Sequence, residues 1–319
     1  MNSTISSGDK PILLKSPDTI RQSGSFKIAE KLKDYMLLVK FNLSFMVVFS
    51  AVISYLLAPL VKSFDWISII RLSVGGMLVT GSANALNQVM EKQTDAMMKR
   101  TANRPVASGR MSVSEATSFA IISGLVGAML LWHFNSLTAL LSVFSLFFYA
   151  FIYTPLKKVS PICTFVGAFP GAMPGVLGWT AARGQLEWGA LVMFAIVFFW
   201  QFPHFYSIAW LYRQDYEDGG IRMLPVVEPD GKSTGRQILL YSLALIPISL
   251  LPAFLGMSGK LYFAGALVLG IALFYVGGRL ASLQLATGNA RSKQRARQLL
   301  QATVFYLPLL FALMMLNPK

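Results

Sequence analysis

Residues Asn84 to Pro105 read NALNQVMEKQTDAMMKRTANRP, a polar run entered directly from an apolar one that begins near residue 67. Asn87, Glu91 and Asp95 are four residues apart, so on a continuing helix each turns only about 40° from the last and all three line one stripe. Two carboxylates one turn apart repel each other unless a cation sits between them. Carboxyl and amide oxygens are also the ligands a hard divalent ion prefers. Beyond them Arg100 and Arg104 are again four apart, with Lys99 beside them and Arg110 further on. Guanidinium forks at that spacing suit phosphate oxygens. A solvated turn between two helices would carry the same charges, so the setting of the stretch decides whether it is surface or site.

That setting is a lipid bilayer. The 319 residues are 55% hydrophobic and 13% charged, with a mean hydropathy of +0.56, whereas a soluble domain carries about 25% charged residues. About 20 helical residues are needed to cross about 30 Å of hydrocarbon. Apolar runs predict about nine transmembrane helices, at 36–60, 67–90, 116–133, 136–153, 162–180, 188–211, 237–257, 261–283 and 301–317. The fold class expected is an all-α integral membrane protein, with a polar N-terminal extension over 1–35 and one transmembrane domain over 36–319.

The net charge of +14 would point to nucleic acid in a soluble protein, but loop placement accounts for it here. With the N-terminus cytoplasmic, 22 of the 28 Lys and Arg fall on the inner side. This is the positive-inside pattern, which orients the chain and leaves no nucleic-acid partner to invoke. Lys62, Arg183, Lys260 and Lys319 fall outside, and Lys40 and Arg71 lie within expected spans. The first 34 residues contain no apolar signal core, and Asp9, Asp18, Glu30 and Asp34 argue against a transit peptide, so a bacterial plasma membrane is expected. From about Ser25, Ile28, Leu32 and Tyr35 recur at helical spacing among lysines, predicting a short helix on the membrane surface. Cys163 is alone, which excludes a disulfide framework and predicts a packed thiol.

Long polar connections at 91–115, 212–236 and 284–300 all face the cytoplasm, and the first two hold eight of the 14 acids. Acid-bearing stretches after the second and sixth spans hint at two similar four-helix halves. Lys157 and Lys158, after Tyr153 and Thr154, read by themselves as topology anchors at a helix end. Gly167, Gly171, Gly175 and Gly178 interleave with Pro170 and Pro174, the pattern of close helix packing with a kink. Gln201 and His204 stand at membrane depth, where polar groups face a partner or a cavity rather than lipid. Asp215 follows the sixth span as Glu91 follows the second, so the acids can share one ion cluster.

Together these residues resemble the intramembrane prenyltransferases, the superfamily that includes 4-hydroxybenzoate polyprenyltransferase. Its first signature, Asn-x-x-x-Asp-x-x-x-Asp followed by Arg-Thr-x-x-Arg-Pro, stands here as Asn87, Glu91, Asp95, Arg100, Thr101, Arg104 and Pro105, with Glu for the middle Asp. Tyr153-Thr154 ahead of Lys157, the elements at 171–179, Trp-Gln-x-Pro-His-Phe at 200–205, Asp215-Tyr216 and Met223-Leu224-Pro225 are similar to the haem-farnesylating branch. The second signature departs from the pattern: one aspartate of its pair is Leu211 here, with Asp218 as a candidate substitute, and Gly175 follows Pro174 where the branch often has a second proline.

The resemblance implies helices around a central cavity, and transfer of farnesyl from farnesyl diphosphate to the 2-vinyl group of haem b with addition of water. It implies Mg²⁺ on Asn87, Glu91, Asp95 and Asp215, and diphosphate held by Arg100, Arg104 and Lys157. His204, Gln201 and Tyr153 are expected on the haem side, and a haem A synthase as a protein partner. A sister prenyltransferase with another acceptor and a secondary transporter are the alternatives. A transporter would place its coupling residues near the membrane midplane.

Overall fold

Apolar segments without water must pair every backbone N–H and C=O internally, and helices do so. The computed structural model describes residues 17–58, 65–282 and 288–318, with side chains from Ile28 onward, and is helical in nearly all of them. The helices are α1 (Pro17–Leu38), α2 (Phe41–Leu57), α3 (Trp66–Met90), α4 (Lys92–Met97), α5 (Val113–Trp132), α6 (Ser136–Leu156), α7 (Cys163–Arg183), α8 (Trp188–Leu211), α9 (Arg213–Asp218), α10 (Leu224–Val227), α11 (Lys232–Phe254), α12 (Lys260–Ala281) and α13 (Ala290–Leu316). The stretch before residue 17, and Lys62 and Lys319 of the basic-residue pattern, lie outside the described residues.

Seven of these helices, α3, α5, α6, α8, α11, α12 and α13, are long and apolar enough to cross a membrane, and α1 with α2, bent by 53° at their junction, makes an eighth. The ninth expected span is the 21-residue α7, whose four glycines and two prolines dilute its hydropathy. Ile121, Ile122, Leu125 and Met129 of α5 are exposed, the arrangement of a surface that meets lipid rather than water. α1 includes the helix expected from Ser25 but starts earlier, at Pro17, with Ile28 and Leu32 outward and Tyr35 packed on Phe119.

Two packed groups build the bundle. α2, α3, α5, α6 and α7 form one, α8, α11, α12 and α13 the other, and α7 against α8 joins them. Polar residues at the helix starts behave as caps: Ser112 accepts from the Glu115 amide at 3.0 Å, and Asn135 from the Thr138 amide at 2.8 Å. Cys163 is buried 3.8 Å from the Met223 sulfur, the packed thiol expected.

α7 carries the closest approach. The Ser54 hydroxyl of α2 donates to the Gly175 carbonyl at 2.5 Å, and a Cβ at Gly178 would collide with the backbone carbonyl of Ala51. Since that neighbour is backbone, it cannot rotate away, and Gly178→Ala is expected to destabilise the fold by about 3 kcal/mol, measurable as a lower unfolding temperature in detergent.

At the far end of α7, Glu187 accepts from Trp179 Nε1 at 2.9 Å and pairs with Arg183 at 2.7 Å. These hydrogen bonds, Arg183 first, hold its carboxyl down at about 2. A depressed carboxyl contributes stability above its unfolded value of about 4.3 that is lost as pH falls through the folded value. The wild type is therefore expected to lose slightly more thermal stability between pH 5 and 2 than Glu187→Gln. Solvent screening keeps the difference under about 1 kcal/mol.

Candidate active site

The acidic stripe survives a break in its helix. Glu91 ends α3 and begins α4, but the Glu91 amide still donates to the Asn87 carbonyl at 2.9 Å and the Asp95 amide to the Glu91 carbonyl at 2.7 Å. Asn87, Glu91 and Asp95 thus keep one face as expected, and all three are buried. Each carboxylate has its own cation. Lys157 Nζ lies 2.5 Å from Glu91 Oε1, and Arg104 Nη1 donates to both Asp95 oxygens at 2.8 Å. The two like charges are therefore held apart by two opposite ones. Lys157, expected to be an anchor if taken alone, is buried inside the site.

Tertiary contacts shape the loop after α4. Thr101 Oγ1 donates to the Asp95 carbonyl at 2.9 Å, and Arg110 donates to the Asn103 carbonyl at 2.8 Å while pairing with Asp34 of α1 at 2.9 Å. α1 is clamped at a second point, where Lys31 and Tyr35 both reach Glu115 at the start of α5. The turn that carries Arg104 is thereby fixed to two helices.

One site residue escaped the sequence analysis. Lys40 counted there as a charge inside the first span, but the helix breaks at 39–40 and Lys40 takes a left-handed conformation, φ 48°. Its Nζ donates to Asn87 Oδ1 at 3.1 Å. Side chains of α3 hold the break: Asn84 donates to the Val39 carbonyl at 3.1 Å, and Gln88 to the Leu37 and Leu38 carbonyls at 3.0 Å each. The only sequence signal was a lysine near the start of an apolar run.

A second local irregularity lies opposite. α6 widens into a π turn over Phe148–Tyr153, a feature common at functional sites. Immediately after it, Thr154 accepts from Asn87 Nδ2 at 3.2 Å, and Lys157 lies 4.8 Å from the centre of the Tyr153 ring. Tyr153, expected on the haem side, therefore stands beside the basic residue of the acidic stripe.

The remaining candidates are placed elsewhere. Arg100 turns to α9, 4.8 and 5.3 Å from the Tyr212 and Tyr216 ring centres, with a 3.2 Å hydrogen bond to Tyr216 Oη. Asp215 is partly buried, and none of the side-chain hydrogen bonds or ion pairs among the described residues involves it. Asp218 is exposed and accepts from Gln214 at 2.9 Å. Gln201 donates to the Ala168 carbonyl at 3.0 Å, filling space that a Cβ on Gly171 would occupy. His204 stacks on Trp200 and binds Thr303 through Nδ1 at 2.9 Å. Because Thr303 commits its hydroxyl proton to the Leu300 carbonyl at 2.7 Å, it accepts from His204, and Nε2 is left as the unprotonated nitrogen.

Among the described residues no three His, Cys, Asp or Glu side chains gather around a metal position, so the expected four-ligand cluster including Asp215 is not assembled. The donor set still fits Mg²⁺. That ion uses one or two carboxylates and fills its other positions with water and phosphate oxygens, and Glu91 and Asp95 supply two from one stripe. Burial alone would raise the Glu91 carboxyl, but Lys157, with Lys40 and Asn87, holds it below the usual range. For Asp95 burial prevails over Arg104, and its carboxyl is pushed up. What the arrangement can do chemically is bind a polyanion with a divalent cation, exchanging carboxylate–cation pairs for phosphate–cation pairs.

Comparison with known proteins agrees on family and fold. The UbiA prenyltransferase family model matches residues 47–306. A protoheme IX farnesyltransferase of Koribacter versatilis is 48% identical over 91% of this chain and 94% of its own length. One from Solibacter usitatus is 43% identical over 90% and 99%. A solved structure of digeranylgeranylglyceryl phosphate synthase superposes with a TM-score of 0.73 at 18% identity, covering 90% of this chain and 98% of that one. A UbiA homolog from Archaeoglobus fulgidus bound to GPP and Mg²⁺ gives 0.62 at 14%, covering 88% and 99%.

Proposed function

Because the chain belongs to the UbiA prenyltransferase family, we propose that it transfers the farnesyl group of farnesyl diphosphate to the 2-vinyl group of haem b at the cytoplasmic face of a bacterial plasma membrane. The observation that carries this is the buried double ion pair of Glu91–Lys157 and Asp95–Arg104, in a chain 48% identical to a protein named for that reaction. In transfer, the bond between farnesyl C1 and the diphosphate oxygen breaks and a bond from C1 to the vinyl terminal carbon forms. Water then adds to the carbon next to the porphyrin and releases one proton, leaving a hydroxyethylfarnesyl group. The distribution of Lys and Arg supports the orientation.

Asn87, Glu91 and Asp95 would hold Mg²⁺, which when bound neutralises charge on the departing oxygens. Asp215, a carboxylate without a side-chain partner among the described residues, is the candidate further ligand. Arg104, Lys157 and Lys40 face the diphosphate as basic groups that strengthen as its charge develops. Arg100 secures α9, the helix carrying Asp215, to the loop of Arg104. The allylic cation is stabilised by aromatic faces in a dry setting, for which Tyr153, beside Lys157, and Tyr149, its ring centre 5.2 Å from that of Tyr153, are the candidates. On the haem side His204 offers Nε2 as its free nitrogen, whereas the contacts of Gln201 serve helix packing.

The test is direct: purified protein with haem b, farnesyl diphosphate and Mg²⁺ should yield the hydroxyethylfarnesyl haem, identified by mass. Folded protein that makes none, but prenylates another acceptor, would move the chain to a sister activity.

A further inference from the structure

Asn87 is the one member of the acidic stripe whose chemistry depends on which way it faces. An amide presents an oxygen on one side and an NH₂ on the other, and only the oxygen serves a cation. Two contacts settle the orientation. Lys40 Nζ donates to the Asn87 oxygen at 3.1 Å. On the other side stands Thr154 Oγ1, whose own proton goes to the Tyr149 carbonyl at 2.9 Å, so it accepts from the Asn87 NH₂ at 3.2 Å.

The π turn makes this possible. The Thr154 amide also donates to the Tyr149 carbonyl, five residues back. The hydroxyl proton is thus drawn toward the backbone of α6 and a lone pair is left facing α3. Thr154 is itself buried, so water does not replace it.

The two contacts are not equally durable. On the proposed function, a diphosphate draws the Lys40 ammonium toward phosphate oxygens, and the lysine then ceases to constrain Asn87. We propose that Thr154 is a positioning residue for prenyl diphosphate binding: through the proton it spends on Tyr149, it keeps the Asn87 carbonyl oxygen turned to the cation side of the stripe. The inference rests on the prenyltransferase reading of the site. It adds a residue that touches neither metal nor substrate.

The experiment is calorimetric titration of the purified full chain with farnesyl thiolodiphosphate and Mg²⁺, without any haem. Thr154→Val removes the acceptor at nearly constant shape and should weaken binding roughly tenfold, the scale of one buried hydrogen bond, while Thr154→Ser should stay within about twofold of wild type. In an Asn87→Ala background Thr154→Val should cost nothing further, because the two changes break one interaction. A purely structural role would weaken binding equally in both backgrounds and overturn the proposal. Wild-type affinity in Thr154→Val, or a Ser variant as weak as the Val variant, would overturn it as well. If Val does not give folded protein, Thr154→Cys, with a weak acceptor of similar size, takes its place in the same cycle. A wild type that does not bind the thiolodiphosphate would instead overturn the prenyltransferase reading.

Discussion

Asp95→Asn is expected to lower prenyl transfer by roughly a thousandfold while leaving folded protein in the membrane, the scale seen when a preorganised electrostatic contact is removed. The substitution is isosteric, so packing around this fully buried side chain is kept. Two things are lost together. The stripe loses one of its two carboxylates for a cation, and Arg104, which donates to both Asp95 oxygens, keeps only one acceptor and no counter-charge. A guanidinium released from that pair is less well aimed at a leaving diphosphate. Steady-state kinetics against farnesyl diphosphate, with Mg²⁺ varied, provides the check, and near-normal turnover would remove Asp95 from the proposed metal ligands.

Lys157→Met should damage both stability and turnover, and the two can be separated. Methionine fills similar space but leaves Glu91, buried against α6, without its closest cation. Breaking a buried pair from one side costs about 3–5 kcal/mol, because the abandoned charge is not resolvated. Part of this is relieved if Glu91 takes up a proton, since Lys157 is the strongest of the groups that hold its carboxyl below the usual range. Adding Glu91→Gln should therefore recover most of the lost unfolding temperature. Turnover should remain at least about a hundredfold down in the double variant, since a diphosphate still lacks its ammonium. Thermal unfolding and kinetics on the two variants decide the matter. Recovery of turnover along with stability would mean that the pair only holds α3 to α6.

The divide between what could be read in advance and what could not runs along physical lines. Asn87, Glu91 and Asp95 were legible because helical spacing alone aligns them, and the alignment outlasts the break at Glu91. Arg104 was legible as a phosphate-type group, but its pairing with Asp95 nine residues away depends on a turn shaped by Thr101 and Arg110. Arg100 has the same sequence credentials as Arg104 and a different destination, because its partners Tyr212 and Tyr216 lie more than a hundred residues on. Lys157 by itself looked like an anchor, and it needs α3 beside α6 to become part of a site. Apolar runs pointed to α7 as a span from the sequence, although its glycines and prolines serve packing at the expense of apolarity. Lys40 was the clearest omission, since a change of backbone direction leaves no trace in an apolar run.

That break has a consequence for how such a chain can evolve. At position 40 a glycine would suit the backbone better, because a left-handed residue with a Cβ costs roughly 1–2 kcal/mol and glycine costs almost nothing there. A glycine would also remove a partly buried charge. Selection for stability alone would thus push against the lysine, and its presence marks a place where fitness is set by reach rather than by comfort of the chain. Folded mass gained at this position would come at the expense of the site, so a search for hardier variants should hold it fixed.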